Sequence, residues 1–90
     1  MPRYLIERTF PCGLAVADAD EGTARLARIV DVNARRGVTW LHSYVSPDKT
    51  RSYCVYDAPS AEAIREVAGF NALPVGCITE VSVLDPYRYR

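Results

Sequence analysis

The alternation of apolar and polar positions divides the chain into six segments. Tyr4 to Thr9 sets Tyr4, Ile6 and Arg8 against Leu5, Glu7 and Thr9 and runs into Phe10-Pro11-Cys12-Gly13, which predicts a strand ending in a turn. The period then changes. Leu26, Ile29, Val30 and Asn33 recur at helical spacing, with Arg25, Arg28, Asp31 and Arg35 mostly on the other side. Asp18 or Asp20 is expected to cap this helix, Glu21 adds negative charge near its start, and Gly37 supplies a left-handed stop. Val38 to Ser46 (VTWLHSYVS) is rich in β-branched and aromatic residues, and Pro47-Asp48 turns it back into Arg51 to Asp57 (RSYCVYD), a hairpin. Ala58-Pro59 ends the hairpin. Ser60 and Glu62 open a second helix whose inner positions are Ile64, Val67 and Ala68 and which stops around Asn71, before Pro74. A final alternating run, Cys77 to Leu84, precedes Asp85-Pro86.

The order βαββαβ is that of a ferredoxin-like α+β sandwich, one antiparallel sheet with both helices on a single face. No repeat or linker interrupts residues 1–90, which read as a single domain. Apolar residues at 49% and charged residues at 24% fit a folded globular chain rather than a disordered one. A domain this small buries only roughly 60–65% of its unfolded surface, so pairing with a second copy, as a homodimer, is expected.

Charge narrows the partners. Eleven basic and eleven acidic residues cancel, leaving no field to attract nucleic acid or an anionic membrane. Arginine outnumbers lysine ten to one, but without a cluster. The start carries no charged leader followed by an apolar run, and no apolar stretch is long enough to span a bilayer. Cys12, Cys54 and Cys77 form an odd set without CxxC spacing, which fits a reducing compartment. A cytoplasmic protein is the expectation.

The chemistry is expected on the sheet face that the helices leave free. Placing Val81 and Val83, Tyr4 and Ile6, and Leu41 and Val45 toward the helices gives the more continuous aliphatic set. The opposite parity then puts Trp40, His42, Tyr44, Glu7, Thr9, Glu80 and Ser82 on the free face. If Tyr44 pairs with Ser52, then His42 faces Cys54 and Trp40 faces Tyr56; a one-residue slip brings in Tyr53 and Val55 instead. The favoured register gives an aromatic group (Trp40, Tyr44, Tyr56) suited to a dimer interface and a polar row (Glu7, Cys54, His42, Glu80) suited to a metal or a small molecule. His42 is the sole histidine, so one chain cannot assemble a closed zinc site. Two copies double the donors, and mixed N, O and S ligands suit nickel or copper as well as zinc. A hydrogen bond to a neighbouring group is the plain alternative for His42, and filling the core is that for Cys54. Cys12 sits in an exposed turn, and Cys77 has no functional argument in the sequence. No GxxxxGK, GxGxxG, HExxH or Ser/His/Asp arrangement is present.

The segments RYLIERTFP, GVTWLHSYVS, CVYDAPS with AEAIRE, and LPVGCITEVSVLDP resemble a family of small bacterial ferredoxin-like proteins described as nickel-binding. The resemblance covers nearly the whole chain, and ERTF and the TWLHSYVS to CVYDAP hairpin are its most specific parts. It implies a homodimer, a short extra C-terminal strand, nickel at the dimer surface with a sequestration or homeostasis role, and no catalytic activity. His42 in TWLHSYVS and Glu7 in ERTF are the positions it carries over. The expectation is therefore a non-enzymatic dimer binding nickel through His42, Glu7, Glu80 and, secondarily, Cys54. The rival expectation is a dimeric α+β-barrel enzyme or binding module, in which Trp40, Tyr44 and Tyr56 line a pocket and His42 acts as general base.

Overall fold

The structure, a computed structural model, describes residues 2–13 and 19–88, and side chains within these except at 19–22. Its elements are β1 (Arg3–Thr9), α1 (Ala19–Ala34), β2 (Thr39–Val45), β3 (Arg51–Asp57), α2 (Ala61–Phe70) and β4 (Cys77–Val81), followed by a short 3-10 turn at Pro86–Arg88. The strands form one antiparallel sheet in the order β2-β3-β1-β4, so the fold is the ferredoxin-like α+β arrangement. Among the described residues, no helix is long and apolar enough to cross a membrane.

The period-two pattern of β1 organises the core. Tyr4, Ile6 and Arg8 are buried, whereas Glu7 and Thr9 are exposed. Opposed residues in a ladder share a face, so the pairs Tyr4–Tyr56, Ile6–Cys54 and Arg8–Ser52 commit Ser52, Cys54 and Tyr56 of β3 to the helix side. All three are buried there. Ile6 and Ile64 are fully enclosed, with Val38, Ala58 and Val67 around them.

Both helices follow their apolar stripes, with one difference. In α2 the Ser60 side chain accepts a hydrogen bond from the Ala63 N–H at 3.2 Å, Asn71 caps the other end, and Ile64, Val67 and Ala68 are buried, as the pattern predicts. The cap is worth about 1 kcal/mol and an enclosed isoleucine about 2–5, so packing holds this helix more than capping does. In α1, Ile29 and Asn33 are buried, but Leu26 and Val30 are half exposed. Partly buried Val32 packs against the core in their place, so the inward stripe is rotated from the one expected. Gly37 has φ 71°, the left-handed stop the sequence predicts. The expected cap at Asp18 and the side chains of Asp20 and Glu21 lie outside the described residues and side chains.

The hairpin is tied by Asp48. Its Oδ1 accepts from the Ser46 hydroxyl at 2.7 Å, the Thr50 hydroxyl at 2.7 Å and the Thr50 N–H at 3.0 Å. Within β2 the ladder shifts: Trp40 pairs with Tyr56, but His42 pairs with Val55 and Tyr44 with Tyr53, the extra residue being a bulge at Leu41. Trp40 and Ser43 thereby fall on the helix side, where the indole N–H donates to Ser43 Oγ at 2.8 Å. Neither of the two registers weighed from the sequence holds for the whole strand. The favoured one holds at Trp40 and the slipped one from His42 onward.

The last strand is shorter than its alternation suggests. β4 ends at Val81 rather than Leu84, and Val83 and Leu84 are strongly exposed. At its start the Gly76 N–H donates to the Glu7 carbonyl at 2.9 Å, and a Cβ at Gly76 would meet that same oxygen at 2.9 Å. Only glycine lets the chain enter the sheet this closely.

Two outcomes follow. The three hydrogen bonds to Asp48, that from Ser46 foremost, lower its pKa from 3.8 to about 2. The charged carboxylate is thus favoured in the fold, and its contribution is present above pH 3.8 and lost as pH falls through 2. The Thr50 amide resonance should shift over that range in the native protein and not in Asp48→Asn. Gly76→Ala should lower stability by about 1–3 kcal/mol in denaturant unfolding, because the added methyl must push β4 from β1.

Candidate functional site

The register defines the face free of helices. One row across the sheet is Tyr44, Tyr53, Glu7 and Cys77; the next is His42, Val55, Leu5 and Thr79; a third is Asp57, Arg3 and Val81. The middle is apolar and partly buried, at Leu5, Val55 and Tyr53, while Glu7, His42, Tyr44, Cys77 and Thr79 are exposed around it. An apolar, partly buried centre is thus bordered by exposed polar side chains.

Five expected placements are overturned. Cys54 and Tyr56 face the helices because β1 fixes the parity of β3, leaving them 6% and 3% exposed. Trp40 joins them because the Leu41 bulge separates its parity from that of His42, and its ring lies 6.4 Å from that of Tyr56. Glu80 pairs with Tyr4 and so stands on the helix side, while Val81 pairs with Arg3 on the free face, the reverse of the expected parity for β4. Of the expected polar row, His42 and Glu7 share the free face, two strands apart, and Cys54 and Glu80 do not join them. Of the expected aromatic group, Tyr44 alone remains, and Tyr53 stands beside it.

His42 is exposed and meets Tyr44 edge to face, the ring centroids 5.3 Å apart. Glu7 is exposed between Tyr53 and Cys77. In the third row the Arg3 guanidinium donates to Asp57 at 2.9 Å, which holds the carboxyl below its usual range and raises the Arg3 pKa. Asp57 is thus engaged, whereas Glu7 makes no such pair among the described side chains. Under the sheet, the guanidinium of Arg8 lies 5.7 Å from the centre of the Tyr56 ring. Arg8 is 4% exposed, and its Nε has no partner among the described residues. Burial raises the Tyr56 phenol pKa, and Arg8 partly offsets that.

No three His, Cys, Asp or Glu side chains among the described residues converge as a metal group. A shallow groove of about 560 Å³ runs beside β4 and the C-terminal residues, lined by Arg3, Glu80, Val81 and Arg88 among others, and His42 takes no part in it. Sequence reasoning missed Arg8 as a buried cation, although its parity with Tyr4 and Ile6 signalled it.

The sequence profile of the family described as nickel responsive protein, SCO4226-like, matches residues 4–81. The chain belongs to this SCO4226-like family. The crystal structure of SCO4226 from Streptomyces coelicolor A3(2) superposes with a TM-score of 0.72 over 92% of this chain and 99% of that one, at 19% identity, a likeness of fold. No match is found among curated proteins. The SCO4226-like fold in this chain thus presents His42 and Glu7 on the free face and encloses Cys54 beneath it.

The corrected faces can be read by thiol labelling. Cys12 and Cys77 are exposed and Cys54 is buried, so a maleimide should modify the first two quickly in the native protein and Cys54 only on unfolding, as followed by peptide mass spectrometry.

Proposed function

We propose that this SCO4226-like protein binds nickel(II) as a homodimer, through the helix-free face of its sheet, and holds the ion without transforming it, in a sequestering or homeostatic role. The observation that carries the reading is the presence of an exposed imidazole, His42, and an exposed carboxylate, Glu7, on one face with an apolar centre. Imidazole nitrogen and carboxylate oxygen both suit nickel(II). Among the described residues one chain brings together too few donors for a closed coordination shell, and a second copy doubles them. The family to which the chain belongs is described as nickel responsive, and this adds support.

Leu5, Val55 and Tyr53 form the contact between copies in this reading, with His42 and Glu7 toward its margin. Cys54 and Glu80 take no part, the first for lack of access and the second because it stands on the other side of the sheet.

Calorimetric titration of the reduced protein with nickel chloride should give saturable binding that weakens roughly tenfold or more in His42→Ala and in Glu7→Gln. Binding unchanged in both variants removes these donors, and no saturable binding in the parent protein defeats the nickel reading. In sedimentation equilibrium the parent should run as a dimer and Val55→Asp as a monomer, because a buried unpaired carboxylate opposes association.

A further inference from the structure

The ion pairs among the described residues share one mode. Arg3 Nε donates to Asp57 Oδ1 at 2.9 Å, with Nη2 at 3.5 Å from Oδ2, and Arg36 Nε donates to Glu66 Oε1 at 2.8 Å. In both, a carboxylate sits on the Nε edge of the guanidinium. Arg8 lacks one. Its Nε is buried without a hydrogen-bond partner, the residue is 4% exposed, and no carboxylate among the described residues pairs with it. A guanidinium does not lose its proton in proteins, and a buried charge without a counter-charge is costly, so the position calls for an anion.

The groups around Arg8 add a second donor but no negative charge. Arg8 lies on the helix side of the sheet, directly opposite Ser52, which is equally buried. Ser52 Oγ accepts from the Cys54 thiol at 3.8 Å, which leaves its own hydroxyl proton available to a ligand. The Tyr56 ring, its centre 5.7 Å from Arg8 Cζ, attracts the cation through its π face without neutralising it. Burial raises the Tyr56 pKa and so keeps that phenol uncharged. One guanidinium balances one negative charge and not two, and Nε with an Nη matches both oxygens of a carboxylate. The burial of Arg8 and Ser52 restricts the ligand to a few atoms.

We propose that Arg8 and Ser52 bind a small monocarboxylate beneath the sheet, through the Nε edge of the guanidinium and the serine hydroxyl. The site is separate from His42 and Glu7, which stand on the opposite face, and it does not depend on the nickel reading.

The test is urea unfolding of the metal-free protein at constant ionic strength, with sodium gluconate, a bulky anion, exchanged stepwise for sodium acetate or sodium chloride. Acetate should raise the unfolding midpoint saturably, as expected of a ligand that binds the folded chain alone, and chloride should not. Arg8→Met, which keeps the length of the side chain without its charge, should have the same midpoint in acetate as in gluconate, and Ser52→Ala should need roughly tenfold more acetate than the parent. A second readout needs no variant: the Arg8 Nε–H resonance of the folded parent protein should shift saturably with acetate over the same concentration range. A response to acetate that chloride reproduces, one that survives in Arg8→Met, or an Arg8 Nε–H resonance that acetate leaves in place overturns the carboxylate site.

Discussion

The ladder between β1 and β3 is the constraint on which the other features depend. Ile6 must be enclosed, and once it is, the pairing with Cys54 carries Tyr56 and Ser52 to the same side and sends Leu5, Val55, Glu7 and Tyr53 to the other. A slip of one residue would exchange the two sets and expose an aliphatic core, so the register is strongly specified. The helices dock on what this pairing makes apolar. The candidate site is what remains.

Much of the fold is legible along the chain because its signals are local. Ser60 before Ile64 and Val67, Gly37 after α1, and Pro47-Asp48 between two β-rich runs each act within a few residues, and each is found in its expected role. The β4 terminus was less legible, since Ser82 to Leu84 continue an alternation that no neighbouring strand extends to meet. In α1 the expected stripe included Leu26 and Val30, and it is the contact with the sheet, a tertiary property, that turns Val32 inward instead.

The site was legible in part. His42 and Glu7, which residue type and family resemblance single out as candidates, both stand on the face expected of them. The sequence pattern puts Cys54, Tyr56 and Trp40 on the wrong face for a shared reason: their expected parity follows from β2, whose alternation is interrupted by the bulge. Aliphatic continuity also misleads at β4, where pairing with Arg3 sends Val81 away from the helices.

The bulge at Leu41 has a bearing on how relatives of this chain are compared. It acts as a phase change within β2, with Trp40 keeping one parity and the strand from His42 onward keeping the other. The bond between the Trp40 indole and Ser43 spans that change and joins two positions that a regular strand would put on opposite sides. An alignment that is correct residue by residue can therefore still carry a role to the wrong side of the sheet, if one of the two chains has the extra residue and the other does not.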